Sequence, residues 1–324
     1  MPISSYSRPL IVLLLAALAA ALLSVSVGST SIGIEDTLRV VTGGGSALQQ
    51  TLILELRLPR TLSAFATGGL LAVAGALMQV LLRNPLADPY VLGLSGGAAV
   101  GALLAMLGGA AGFLVSGSAF AGALLATLLV FGLAHGSGSW TPSRLLLTGV
   151  VVAAGWGAII TLILSMTPAS RLPGMLYWLM GDLSHAATPW PGLIILVLVC
   201  VLVFPLGRAL NVLARGSLQA AALGVSVRPL EWSIYLMASL LTATAVTMAG
   251  SVGFVGLVVP HMLRLVLGND QRLVLPACAL AGGTLLVMAD TLARVVIAPE
   301  QLPVGVITAL LGVPTFLYLL YRSR

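Results

Sequence analysis

Charged side chains are scarce in this chain, and lysine is missing altogether. Only 7% of its 324 residues are charged, whereas about 25% is usual for a soluble domain, and all 15 basic residues are arginine. Without lysine, the chain has no GK[ST] lysine for a phosphate-binding P-loop and no amine for Schiff-base catalysis. If ATP drives this protein, we therefore expect a separate chain to hydrolyse it.

Cysteine and histidine are also sparse, which argues against disulfide, metal and hydrolase chemistry. Cys200 and Cys278 each lie inside an apolar run without CxxC spacing, so we interpret them as small buried hydrophobic residues. His135, His185 and His261 are scattered and have no HxxxH or carboxylate companion. No Ser–His or paired-carboxylate arrangement is apparent either. We predict a chain with no catalytic residue, no metal and no cofactor of its own.

Apolar residues, in contrast, make up 59% of the chain, and the mean hydropathy is +1.11. A soluble core could not use so much apolar surface, so we predict an all-α, polytopic membrane protein with a single transmembrane domain over residues 1–324. A full crossing needs about 20 apolar residues. About ten apolar spans are predicted, near 10–28, 60–82, 91–108, 113–134, 144–166, 191–206, 231–249, 256–267, 273–297 and 304–321. The first is long enough to be a retained membrane helix rather than a signal peptide.

The arginines orient this predicted bundle. With the N terminus on the cytoplasmic side, ten arginines fall inside and five outside, namely Arg39, Arg57, Arg60, Arg171 and Arg294. This distribution satisfies the positive-inside rule, so we expect both termini in the cytoplasm. Because loop anchoring accounts for the net charge of +6, we predict no nucleic-acid partner.

Three of the outer arginines cluster in this topology. Arg57 and Arg60 stand at the start of the second span, and Arg294 ends the ninth at the same face. One interpretation is ordinary interfacial anchoring, in which Arg294 neutralises Asp290 one helical turn earlier. The other is a basic patch that docks acidic side chains of a soluble partner outside. For Asp290 itself we prefer the structural role.

The connection at about 207–229 lies on the predicted inner side. It has a short, mildly amphipathic helical pattern of leucine and alanine, which Gly224 can close as a C-cap. Arg208, Arg215 and Arg228 would keep it cytoplasmic. A compact helical loop there suits the groove of a partner protein, and a helix lying on the bilayer surface is the alternative.

Gly250–Arg264, GSVGFVGLVVPHMLR, is too short and interrupted for an ordinary membrane helix and too apolar for a loop. Broken segments at membrane depth occur where something passes or a conformational change is transmitted. No chain of carboxylates or histidines runs through the other spans. This absence disfavours an ion-coupled secondary transporter, which remains the alternative class.

Long motifs in this chain resemble the permease subunits of ABC importers for iron-siderophores, haem and cobalamin, which have the type II importer fold. The motifs follow one another along nearly the whole chain. They are RLPRTL at 57–62, GGLLAVAGALMQVLLRNPLADPYVLGLSGGA at 68–98, SRLLLTGV at 143–150, YWLMGDLS at 177–184, ALGV at 222–225, GSVGFVGLVVPHMLRLVLGNDQRLVLP at 250–276, ADTLAR at 289–294 and EQLPVGVITALLGVPTF at 300–316.

The resemblance implies a homodimer of about ten helices per chain in the bacterial inner membrane, with the pathway along the two-fold axis. Two ATPase subunits, which hold ATP and Mg²⁺, bind inside, and a periplasmic substrate-binding protein docks outside. Arg57, Arg60 and Arg294 match arginines that pair with glutamates of the binding protein. The loop at about 210–224 matches the coupling helix in the ATPase groove. The matching coupling residues are Leu213, Ala214, Arg215, Gly216, Ser217, Ala221, Leu223 and Gly224.

Other positions are assigned by the same resemblance. Trp140, Thr141 and Pro142 match the cytoplasmic gate, where the family often has small hydroxyl residues, so Trp140 and Pro142 depart from the pattern. EQLP at 300–303 has one residue more than the usual ELP. Arg171, near the outer end of the fifth span, either faces the axis and attracts carboxylates such as haem propionates or lies in a surface loop. The expected cargo is an iron chelate, siderophore or haem, with cobalamin as the alternative.

Within this framework, Gly250–Arg264 becomes an outer re-entrant turn followed by a short eighth helix. Pro260 and His261 then lie inside that helix, and Arg264 anchors its inner end. We interpret His261 as a structural hydrogen-bonding residue rather than a ligand, and the segment as a hinge candidate.

Overall fold

The computed structural model describes residues 4–28, 33–135, 141–184 and 188–322, and within these ranges every regular element is helical. The α-helices are α1 (Ser4–Ser26), α2 (Ile34–Val41), α3 (Ala47–Gln50), α4 (Leu58–Leu81), α5 (Leu94–Leu107), α6 (Phe113–His135), α7 (Pro142–Ser165), α8 (Leu172–Met180), α9 (Trp190–Val203), α10 (Gly207–Leu213), α11 (Ser217–Ala222), α12 (Val227–Ala249), α13 (Val255–Leu267), α14 (Gln271–Val295) and α15 (Val304–Arg322). The predicted all-α class is confirmed.

Ten apolar helical segments account for the predicted spans. Seven are long and apolar enough to cross a membrane, and α5, α13 and most of α15 are three shorter ones. The second span is longer than predicted. A π-helical segment, Thr51–Arg57, joins α3 to α4 and makes one helical run of 35 residues from Ala47 to Leu81. The predicted outer connection is therefore shorter, because its last part is already helical.

Helix α4 is the centre of the bundle, and its apolar window is 94% buried. It packs against α14, α12, α13 and α9. Glycine allows the closest of these contacts, because a Cβ at Gly68 would collide with the backbone of Gly282 on α14, and one at Gly75 with the backbone of Gly256 on α13. The small residues of this helix are therefore needed for packing, since neighbouring backbones occupy the space that larger side chains would fill.

Helix α7 is the opposite case, because only 11% of its apolar window is buried within the chain. Its exposed side is apolar and includes Leu147, Val150, Val151 and Leu162. Such a helix is stable in lipid or against another protein surface, since water would not solvate its side chains favourably.

Candidate functional site

Three arginines lie together at the ends of α4 and α14, and two of them pair with one buried carboxylate. We refer to Arg57, Arg60 and Arg294 as the outer arginine cluster. Asp290, with no exposed surface, accepts hydrogen bonds from Arg60 Nη2 at 2.8 Å and from Arg60 Nε at 3.1 Å to both oxygens. Arg294 Nε lies 3.1 Å from the other carboxylate oxygen. The predicted ion pair of Asp290 with Arg294 is confirmed, and Arg60 is a second partner that spacing along one helix could not reveal.

The guanidinium groups of Arg57 and Arg294 also bind the C-terminal end of α1. Arg57 Nη1 donates to Val25 O and Ser26 O, both at 2.9 Å. Arg294 Nη2 donates to Ser24 O at 3.1 Å and to Ser24 Oγ at 2.8 Å. The last carbonyls of a helix lack intrahelical partners and form the negative end of its dipole, so two cations stabilise this end of α1.

Burial distinguishes the three members of the outer arginine cluster. Arg57 and Arg294 are only 7% and 6% exposed and are part of the packed fold. Arg60 reaches further outward, and its Nη1 donates to Gln301 Oε1 at 2.6 Å at the exposed rim. Gln301 belongs to the EQLP motif, so that motif lies beside the cluster. Docking of a partner at this cluster remains a prediction. Arg60 is the most accessible of the three arginines.

At the other end of the bundle, the loop predicted to hold one short helix contains two, α10 and α11. We call residues 207–224 the coupling loop. Leu210, Leu213 and Ala220 face inward and are buried, whereas Leu218 and Leu223 are 87% and 72% exposed. Gly216, at φ +142°, makes the turn between the two helices, which explains why the pattern does not continue as one.

The predicted C-cap at Gly224 is confirmed. Gly224 has φ +80°, Val225 N donates to Ala220 O at 3.0 Å, and Gly224 N donates to Ala221 O at 3.0 Å. This is a Schellman arrangement, in which a left-handed residue closes the helix. The cap holds the exposed Leu223 in place on the surface.

Hydrogen bonds tie the coupling loop to both α4 and α14. Arg83, just beyond α4, donates to Ser217 Oγ at 3.1 Å. Asn211 Nδ2 donates to Asp270 Oδ1 at 2.9 Å, and Asn211 Oδ1 accepts from Gln271 N at 2.7 Å. Asp270 is the N-cap of α14. Helices α4 and α14, which carry the outer arginine cluster at one end, are therefore both bonded to the coupling loop near their other end.

The segment before α13 is an extended strap rather than a helix. Gly250 and Phe254 bound it with φ of +66° and +68°. Its Val252 N donates to the hydroxyl of Tyr90 at 3.1 Å, in the loop between α4 and α5. In that loop Tyr90 N donates to Asp88 Oδ1 at 2.7 Å, and burial raises the pKa of Asp88 to about 6, a shift that this hydrogen bond opposes.

Helix α13 confirms the predicted short helix, with Pro260 and His261 inside it. Arg264 donates to Ala76 O at 3.2 Å and to the side chain of Gln79, so it anchors α13 to α4. The expected structural hydrogen bond of His261 is not found. Within the described ranges this half-buried side chain has no hydrogen-bond partner.

The gate and pathway predictions are only partly within the described residues. Trp140 and His185 lie outside them. Thr141 is the N-cap of α7, and its hydroxyl accepts from Arg144 N at 3.3 Å, with Pro142 at the first helical position. Arg171 donates to Leu107 O at 2.5 Å, at the C-terminal end of α5. These contacts are structural, and the gate and pathway roles remain predictions.

The part of the chain that the structure describes has no group of three or more His, Cys, Asp or Glu side chains that could hold a metal ion. Cys278 is buried in the main core, and Cys200 packs against that core, as interpreted from the sequence.

The fold and these sites define a polytopic, all-α membrane permease. The chain belongs to the FecCD transport family, whose sequence profile matches residues 14–322. It is 42% identical over 287 residues to the vitamin B12 import system permease protein BtuC of Vibrio cholerae, covering 86% of this chain and 85% of that protein. It is 41% identical over 281 residues to the hemin transport system permease protein HmuU of Yersinia pestis, covering 84% and 83%.

A solved structure agrees with this assignment. An inward-facing protein assigned to the metal-chelate type of ABC transporters superimposes with a TM-score of 0.87 at 29% sequence identity. The match covers 98% of this chain and 100% of the other. The resemblance to type II ABC importer permeases is confirmed.

Proposed function

We propose that this chain forms a homodimeric permease that imports an iron chelate, a siderophore or haem, across the bacterial inner membrane. Two separate ATPase subunits, which bind ATP and Mg²⁺, power it from the cytoplasm, and a periplasmic binding protein delivers the cargo. One observation carries this proposal. Helices α4 and α14 meet both the outer arginine cluster and the coupling loop, so a force at either end reaches the other through two packed helices.

Charge supports docking at the outer end. Arg60 and Arg294 share the single carboxylate of Asp290, and Arg57 binds backbone carbonyls, so the three arginines together with Asp290 have a net charge of +2. Acidic side chains of a binding protein would approach Arg60 at its exposed edge and lower the energy of this excess charge. Their approach would also change the pairing of Arg60 with Asp290, and Asp290 would pass this change on to α14.

The coupling loop supports ATPase binding at the inner end. Leu218 and Leu223 form an exposed apolar knob on a short, capped helix pair. A groove on the ATPase would bury both side chains, and the hydrogen bonds from Arg83 and Asn211 would pass movement of the loop to α4 and α14.

The exposed apolar side of α7 supports the homodimer. This helix is long enough to span the membrane, yet only 11% of its apolar window is buried within the chain. A second copy packed there would line a central pathway with small and apolar residues. Lipid covers whatever part of the face the second copy leaves exposed.

The cargo is proposed from the relatives together with one side chain. HmuU is described as a hemin permease and BtuC as a vitamin B12 permease, so metal chelates are the common class. Arg171 is exposed near the end of α5 and would attract carboxylates such as haem propionates. This favours an iron chelate, and cobalamin is the alternative.

Reconstitution in proteoliposomes with the cognate ATPase and binding protein tests the proposal. We expect ATP-dependent uptake of haem or a ferric siderophore, and cobalamin uptake instead would select the alternative. Uptake without ATP hydrolysis would contradict the ABC mechanism and favour ion coupling. For docking, Arg60→Gln should lower binding-protein-stimulated ATP hydrolysis, while Arg39→Gln, at another outer arginine whose side chain is 57% exposed, should not. Equal stimulation in both folded variants would disprove the docking assignment.

A further inference from the structure

Two cavities share one lining residue, Gln271, where α14 begins. The first is an apolar groove of about 760 Å³ between α1, α9 and α14. Its walls include Leu10 and Leu14 of α1, Val201 of α9, and Ala279 of α14. The groove faces the hydrophobic surroundings of the bundle and has one end at Gln271.

The groove has the length of one lipid tail. From Gln271 to Leu280, α14 advances nine residues, or about 14 Å at 1.5 Å per residue. Half of a hydrocarbon core of about 30 Å is about 15 Å. An acyl chain from a single leaflet would therefore fill the groove from its polar end to the middle of the membrane.

The second cavity, of about 860 Å³, is basic and more polar than the groove. Four arginines line it, against one carboxylate, that of Asp270. The arginines are Arg83, Arg215, Arg264 and Arg272. Arg272 pairs with Asp270 at 2.6 Å, which leaves an excess of three positive charges. Guanidinium groups bind phosphate oxygens with two parallel hydrogen bonds, so this cavity suits a phosphate.

Gln271 gives an independent sign of a ligand. Its side chain is only 2% exposed and lines both cavities. Its Nε2 donates to Asn269 O at 3.4 Å, whereas Oε1 has no hydrogen-bond partner in the described chain. A buried acceptor without a partner is unfavourable. A ligand hydroxyl that reached this oxygen would satisfy it.

We propose that the two cavities together bind one anionic phospholipid with a hydroxyl-bearing headgroup, of the phosphatidylglycerol type. Its phosphate lies among the arginines, a hydroxyl donates to Gln271 Oε1, and one acyl chain fills the groove. The lipid comes from the leaflet beside the coupling loop. A soluble phosphate would use only the basic cavity and leave the groove empty, so an apolar groove that shares a lining residue with a basic cavity favours a lipid.

The position gives the lipid a role in coupling. Asn211, Ala214 and Arg215 of the coupling loop line the basic cavity, and the N-terminal part of α1 lines the groove. A bound lipid would therefore contact α1 and α9 as well as the base of the coupling loop. The lipid site depends on the membrane fold, and it does not depend on the identity of the cargo.

Native mass spectrometry of the purified full-length chain tests the proposal, with phosphatidylglycerol and phosphatidylcholine of identical acyl chains. We expect phosphatidylglycerol to be retained at a concentration at least tenfold lower. Arg215→Gln and Arg272→Gln should each reduce that preference several-fold, and Arg144→Gln, at an inner arginine outside the cavity, should leave it unchanged. Equal retention of the two lipids would overturn the proposal.

A second pair of variants tests the groove. Ala279→Phe would fill it and should weaken phosphatidylglycerol binding at least tenfold, while Ile194→Phe, on the exposed side of α9 outside the groove, should not. Free glycerol phosphate should not displace the lipid. If it competes at equal concentration, a soluble phosphate occupies the basic cavity and the lipid assignment is wrong. If Ala279→Phe binds phosphatidylglycerol normally, no acyl chain lies in the groove and the assignment is wrong as well.

Discussion

Arg60 and Asp290 are 230 positions apart in the chain, yet Arg60 donates three hydrogen bonds to the Asp290 carboxylate at 2.8–3.1 Å. Because Arg294 pairs with the same carboxylate, one acidic side chain holds two arginines between α4 and α14. Asp290 is therefore a positioning residue for the outer arginine cluster, and it fixes the relative placement of the two helices that reach the coupling loop.

Replacing Asp290 by Asn should strongly destabilise the protein. The change keeps the shape of the side chain but removes the counterion of Arg294, which is buried, and of Arg60, whose side chain is 12% exposed. Breaking a buried pair in this way costs roughly 3–5 kcal/mol. Thermal unfolding of the detergent-purified chain would measure the loss. Asp36→Asn is the matched control, since Asp36 pairs with the exposed Arg39 at 3.7 Å and should contribute less than about 1 kcal/mol. An unchanged melting temperature for Asp290→Asn would refute the positioning role.

The close approach of α4 to its neighbours can be tested at Gly68. A methyl group there would collide with the backbone of Gly282, so Gly68→Ala should push α14 away from α4. Overpacking of this kind costs roughly 1–3 kcal/mol. Gly117→Ala, on α6, where a Cβ meets no neighbour, should be neutral or stabilising. The two variants would be compared by thermal unfolding, and equal stability would show that the helices can separate without cost.

The sequence predicts contacts between residues that are close along the chain, and it does not predict contacts between residues that are far apart along it. Apolar runs predicted the spans, because lipid requires long apolar stretches whatever the tertiary contacts are. The pair Asp290–Arg294 was predictable from its i,i+4 spacing on one helix. The Arg60–Asp290 contact was not, because a single sequence carries no signal for a partner 230 residues away.

The same limit explains what was missed at the outer arginine cluster and in the coupling loop. Arg57 and Arg294 were expected at a surface, but they cap the end of α1, and such a use of a cation requires the packing of three helices. In the coupling loop, the apolar pattern of α10 and α11 predicts one helix. The two helices are separate because the backbone turns at Gly216, which has φ +142°. Gly224 was predictable, because a glycine after a helical pattern is a local signal.

Gly224→Ala should weaken the coupling loop locally. At φ +80° an L side chain is strained, and the cost is about 1–2 kcal/mol. We expect faster hydrogen exchange of the amides of Gly224 and Val225, which bond to α11, with little change at α4. Gly174→Ala in α8 is the control, because that glycine has helical geometry and open space. If the amides at positions 224 and 225 exchange at the same rate in the two variants, Gly224 is not needed as a cap.

Leu218→Ser and Leu223→Ser should reduce ATPase binding without affecting the fold. Both side chains are largely exposed in the isolated chain, so their loss removes little internal packing. Burial of a leucine in an interface contributes about 1.5–3 kcal/mol, so each change should weaken binding of the purified ATPase roughly tenfold or more. Surface plasmon resonance with the permease in nanodiscs would measure the affinity.

The control for these two variants is Leu48→Ser on α3. Leu48 is also largely exposed, but it lies in the first turn of the helical run that carries Arg57 and Arg60, at the end of the bundle away from the coupling loop. An ATPase that binds the coupling loop should therefore not respond to this change. If all three variants bind equally well, the apolar knob is not the contact. If Leu48→Ser alone weakens binding, the proposed orientation of the protein is reversed, because the ATPase would then bind the end that carries the outer arginine cluster.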